Sequence, residues 1–159
     1  MKNTIALLAV IAGGAGLAAP VALADTDPLA AVQADVAKVE ADATARHDLV
    51  IADAQKLQSD AQAAAGGTKA AARTTIKADL QKLRSDRESA TATVHADRAQ
   101  LRTDLVAVHA AKAGGNGTLK ALLQPMRTQL RRQHAEIVTA VHSARDAVKT
   151  LRQSFRHQH

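Results

Sequence analysis

"DAQKLQSD" occupies residues 53–60 and "DLQKLRSD" residues 79–86, and looser copies stand at 35–42 ("DVAKVEAD") and 97–104 ("DRAQLRTD"). Within each pair the copies start 18 residues apart. That is about five turns of α-helix, so both copies fall on one face. The longer stretches around them also align, at a shift of 44 residues: Asp35 with Asp79, Lys38 with Lys82, Val50 with Val94, Asp53 with Asp97 and Leu57 with Leu101. One helix has been duplicated in sequence. Inside each unit, Asp and Lys three or four residues apart can pair along the helix surface, and the Leu or Val beside the Lys points to a packing seam. The repeat reads as scaffold rather than as a ligand site used twice.

The surrounding pattern extends the helical reading. Val32, Val36, Val39, Ala43, Val50, Ala54, Leu57 and Ala61 follow 3/4 spacing, with His47 in the gap. Ile76, Leu80, Leu83, Ala90, Val94, Leu101, Leu105 and Val108 do the same, with Arg87 and Arg98 in the gaps. Leu119, Leu123, Met126, Leu130, Ile137, Val141, Val148, Leu151 and Phe155 form a third series. Punctuation separates them. Asp27 and Pro28 suit an N-cap and first helical position, Gly66 and Gly67 a stop, and Thr68 and Thr118 two further caps. The predicted fold is all-α: a long antiparallel helical hairpin extended to a three-helix up-down-up bundle, with coiled-coil-like, Ala-rich seams. Its segments are 25–65, 66–113 (the duplicate of the first) and 114–159, with a kink or fresh start expected at Pro125. At ~1.5 Å per residue the rods should each be about 55–70 Å long. Such narrow seams bury little surface, so self-association is expected to complete the assembly.

The first 24 residues have a different logic. Lys2 precedes an apolar run from Ile5 to Ile11, and Ala22-Leu23-Ala24 offers the small-x-small pattern of a cleavage site. This reads as a signal peptide over 1–24, cleaved before Asp25. Retention as an anchor is the alternative, because Thr4 to Ala24 are uncharged; Gly13, Gly14, Gly16 and Pro20 weaken that helix. The chain has no cysteine, so no disulfide supports it. Export to a bacterial periplasm is expected, with an extracellular location as the alternative, and no transmembrane segment remains in the mature chain.

Charge is graded along the sequence. Residues 25–65 carry 3 Lys/Arg and 8 Asp/Glu, residues 66–113 carry 9 and 5, and residues 114–159 carry 8 and 2. One acidic rod therefore accompanies two basic ones. The acidic rod lying beside the basic ones accounts for much of this gradient. The remainder points to "RTQLRRQ" at 127–133, with Arg127, Arg131, Arg132 and Lys149 as candidate contacts for an anionic protein or lipid head group. Nucleic acid is disfavoured by the expected export and by a single aromatic residue, Phe155, which leaves little platform for base stacking.

Histidine supplies two further candidates. "VHADR" (94–98), "VHAAK" (108–112) and "VHSAR" (141–145) place His95, His109 and His142 in one repeated context, an alternative site for Zn, Cu or Ni. Against it, no histidine pair stands at i, i+4, and a cation one turn away from each repels a dication. His47 and His134 occupy seam positions, where protonation would loosen packing, so a pH-responsive chaperone is the second alternative. No cysteine nucleophile, "GxSxG" or phosphate-loop Lys-Ser/Thr occurs. The expectation is an exported, non-enzymatic binding or structural protein without cofactor, chaperone-like in architecture, and no motif ties it to a family.

Overall fold

Asp27 Oδ1 accepts from the Leu29 amide at 3.0 Å, and Pro28, which has no N–H to strand, starts the first helix. The computed structural model describes residues 27–113 and 115–157. They form α1 (Pro28–Ala63), α2 (Lys69–Ala110) and α3 (Asn116–His157), with one 3-10 turn at Ala64–Gly66. The protein is all-α, as the spacing predicts. The signal peptide expected over 1–24 lies outside the described residues. Thr68 caps α2 by accepting from Ala71 N at 3.3 Å. Thr118 caps nothing, because α3 begins two residues earlier, at Asn116. Nor does Pro125 restart the third helix: α3 passes through it. Pro125 sits on the exposed side, where the carbonyl that loses its donor can turn to water. Between α2 and α3 the chain reverses through Lys112 at φ 51°, with Ala113 N donating to Val108 O at 3.1 Å. This is the αL stop that glycine usually takes, here held by a lysine.

α1 and α2 run antiparallel, and the repeated octapeptides face each other across that contact. Lys56 Nζ donates to Asp79 Oδ1 at 2.9 Å and to its own-helix Asp60 at 2.6 Å. Lys82 Nζ mirrors it, donating to Asp53 at 2.7 Å and Asp86 at 2.5 Å. Lys38 repeats the arrangement with Asp97 and Asp42. Every crossing pair is centred between Gly67 and Thr68, so the duplication is a pseudo-two-fold about the turn. Asp53, Asp79 and Asp97 are buried, so the crossing partner is the one that neutralises a desolvated carboxylate. Hydrogen bonds from Lys56, Lys82 and Lys38 hold Asp60, Asp86 and Asp97 below the usual carboxylate range. Their contribution is present above the unfolded value of 3.8 and is lost as pH falls below it.

One corner departs from the pattern. Gln100 stands where symmetry calls for lysine, and it donates to both oxygens of Asp104 at 3.2 Å. Asp35, the crossing position, has no lysine opposite it, whereas Asp53, Asp79 and Asp97 each keep one lysine partner although, like Asp35, they have a buried Oδ2 without one. Burial, and then the Asp104 carboxyl beside it, pushes Asp35 above its ordinary value.

The apolar core is divided in two. Near the Gly66–Gly67 turn, Val50, Ala54, Leu57 and Ala61 of α1 pack with Ile76 and Leu83 of α2 and with Ile137 to Phe155 of α3. At the other end, Val32, Val36 and Val39 meet Leu101, Val108, Leu119, Leu123 and Met126. These pairings make α3 parallel to α1. The middle is polar: Gln129 and Gln133 Nε2 donate to Thr44 Oγ1 at 3.2 and 3.0 Å. This layer fixes the α1–α3 register, because a slip would strand the buried Gln133 amide. Gln133, rather than the neighbouring His134, takes the seam; His134 is exposed, which corrects the sequence expectation. Helix periodicity is 3.6 rather than 3.5, and over α3 that drift moves the buried stripe by one residue.

Two stability outcomes follow from these contacts. Leu57 is fully buried, and Leu57→Ala should cost about 2–5 kcal/mol in urea unfolding followed by circular dichroism. Gln100→Lys should complete the fourth crossing pair and raise Tm by about 1–3 °C at pH 7. Because the Asp35 value is raised, its native-state penalty exists only when the carboxyl is ionised. The gain should therefore disappear as pH falls through that raised value.

Candidate anion-binding groove

α1 presents valine and alanine to both neighbours, and these small side chains let two helices lie close to it. α2 and α3 each pack along α1, while their own backbones scarcely approach one another. A groove results between α2 and α3. Its floor is apolar: Ile76, Leu80 and Leu83 from α2, with Val141, Val148, Leu151 and Phe155 from α3. Its rims are cationic. Lys69, Arg73, Lys77, Arg84 and Arg87 line the α2 side, Arg145, Arg152 and Arg156 the α3 side, and Arg46 reaches in from α1. Glu88 is the one acidic residue among those lining it. Among the described residues, none of these cations has a carboxylate within ion-pair distance; the ion-paired side chains are Lys38, Lys56, Lys82, Arg132 and His47.

The groove contains two joined recesses. One of about 1240 Å³ lies near the Gly66–Gly67 end between Arg73 and Arg156. The other, of about 630 Å³, lies at the polar middle of the bundle and gathers Arg46, Arg84, Arg87 and Arg145 beside Thr91 and His95. Arg46 is half-buried and donates through Nε to Thr91 Oγ1 at 3.1 Å. Burial first, then the charges of Arg87 and Arg98, lower its guanidinium below the ordinary value. Four arginines thus face a single carboxylate, Glu88, among the residues lining this recess, which gives it a positive field.

The residues singled out in the sequence are placed differently. Arg127, Arg131, Arg132 and Lys149 are all exposed on α3, and none lines the groove. Arg132 sits 3.8 Å from Glu136 and borders a separate recess of about 530 Å³ beside Pro125. His95 lies in the arginine recess, while His109 and His142 are exposed elsewhere. Among the described residues no three His, Asp or Glu side chains are grouped to hold a metal ion. The structure therefore does not bring His95, His109 and His142 into one set. Sequence reasoning missed Arg73, Lys77, Arg84, Arg145, Arg152 and Arg156 because each flanks the seam rather than forming a run. The available signal was Arg87 and Arg98 standing in the apolar series of α2.

His47 is positioned by two carboxylates, with Nδ1 2.8 Å from Asp48 Oδ1 and Nε2 2.8 Å from Glu136 Oε2. His47 of α1 is thus in contact with Glu136 of α3.

No family model matches the chain, and neither a curated protein nor a solved structure matches it.

Proposed function

We propose that this protein is an exported, non-enzymatic binding protein that holds an anionic amphipathic client, in the manner of a chaperone, along the α2/α3 groove. The observation that carries this reading is the composition of the groove: an apolar floor between two cationic rims, with Glu88 alone opposing them. A client with an apolar stripe and flanking acids would match both features. Export is inferred from the first 24 residues and self-association from the narrow seams; native mass spectrometry of the chain beginning at Asp25 reads both mass and oligomer. Among the described residues no helix is long and apolar enough to cross a membrane.

The test is binding of a labelled acidic amphipathic peptide at low salt, compared with the same peptide at high salt. Arg73→Glu, Lys77→Glu, Arg152→Glu and Arg156→Glu together should weaken it by at least about tenfold, from the loss of several exposed charge pairs. Arg127→Glu, Arg131→Glu and Arg132→Glu together should change it far less. If the second set abolishes binding and the first leaves it intact, the contact surface is the outer face of α3 and the groove assignment fails.

A further inference from the structure

The arginine recess at the middle of the groove is more specific than the rims around it. Arginines from three helices line it: Arg46 from α1, Arg84 and Arg87 from α2, and Arg145 from α3. Along the α1–α2 contact the same protein matches charges closely, each of three lysines meeting a buried carboxylate. In the recess Glu88 is the one carboxylate among four arginines, none of them within ion-pair distance of a carboxylate among the described residues, and one of them, Arg46, is half-buried. Arg84, Arg87 and Arg145 are exposed, so solvent screens part of the repulsion among these like charges, and a bound counter-charge would relieve what remains.

The kind of counter-charge follows from the donors. A guanidinium presents a planar fork of N–H groups that pairs with two oxygens at once, which suits carboxylate and phosphate alike. A single carboxylate would leave most of the charge in place. A tetrahedral oxyanion carrying two or more charges has oxygens enough to face Arg46, Arg87 and Arg145 together. The recess, about 630 Å³, is larger than one phosphoryl group, and Leu80 and Arg84 line both it and the apolar recess beside it. A second phosphoryl group or an apolar tail therefore has somewhere to go.

We propose that this recess is a phosphate site, in which Arg46, Arg87 and Arg145 hold the phosphoryl or diphosphoryl group of a ligand entering from the α2/α3 groove. The assignment rests on the groove being the binding surface, and it names the chemistry that the client must carry there.

The experiment is thermal unfolding of the full chain, followed at 222 nm because the protein has no tryptophan or tyrosine to report. Pyrophosphate and dodecyl phosphate are each compared with sodium chloride at equal ionic strength. At a large excess over Kd, at least one should raise Tm by about 3 °C or more beyond chloride. The Arg87→Gln/Arg145→Gln variant should lose that shift while melting no lower than the parent without ligand, since a repulsion has been removed. A larger shift with dodecyl phosphate assigns a lipid source, and a larger shift with pyrophosphate a free one; either supports the site. Equal shifts in chloride, or a shift retained by the double variant, would overturn it as adventitious surface binding. A parent chain that binds the acidic peptide but ignores both phosphates overturns the phosphate site alone. One that ignores all three overturns the groove as well.

Discussion

Each crossing lysine between α1 and α2 does two jobs, bridging a carboxylate one turn along its own helix and a buried carboxylate on the partner helix. The second job sets the geometry of the whole molecule. An alanine–valine seam is nearly smooth, and sliding one helix by a turn replaces like with like at small cost. Sliding it away from the lysines leaves Asp53, Asp79 and Asp97 desolvated and unpaired, which is severe. Exposed ion pairs of the same kind contribute little by themselves. Their value here lies in register, and α3 then docks on the surface that the correctly registered hairpin offers.

The small residues of α1 have a second effect that reaches the groove. Because α1 is thin, both neighbours lie close to it, and because α2 and α3 carry longer side chains on their flanks, they stand apart. Arginine is well suited to that flank, laying its methylene stem over apolar floor while its head reaches water. A basic groove is thus a natural product of a narrow central helix with two wider neighbours. The acidic character of α1 does not cancel it, because Asp42, Asp53 and Asp60 of α1 are engaged by the lysines of the α1–α2 contact.

Much of the fold was legible because it rests on local rules. Asp27, Pro28 and Thr68 act at the positions their chemistry favours, and the 3/4 spacing of Val32 to Ala61 names the buried face of α1 correctly. The duplication was legible too, but only as repetition. That Lys56 reaches Asp79 rather than only Asp60 depends on the partner helix running backward past it, which one-dimensional spacing does not contain. His134 and Gln133 show the same limit at finer scale, since a one-residue drift over many turns decides which is buried. The groove was least legible of all. Arg84, Arg145 and Arg152 are ordinary flank residues until two helices place them face to face, and a run such as "RTQLRRQ" draws more attention while facing outward.

The pseudo-two-fold of the charge pattern has a consequence for partner choice. The 18-residue spacing that lets α1 match α2 also lets it match another copy of itself. Two α1 helices laid antiparallel set Asp35 opposite Lys56 and Lys38 opposite Asp53, with the symmetric pair repeated. The code is therefore degenerate: it specifies direction and register but not which chain supplies the partner. What selects the intramolecular contact is the short Gly66–Gly67 turn, which holds α2 beside α1 at high effective concentration. A longer or stiffer connection there would release arms already equipped to exchange between copies, so the brevity of one loop decides whether this sequence closes as a hairpin or links into swapped assemblies.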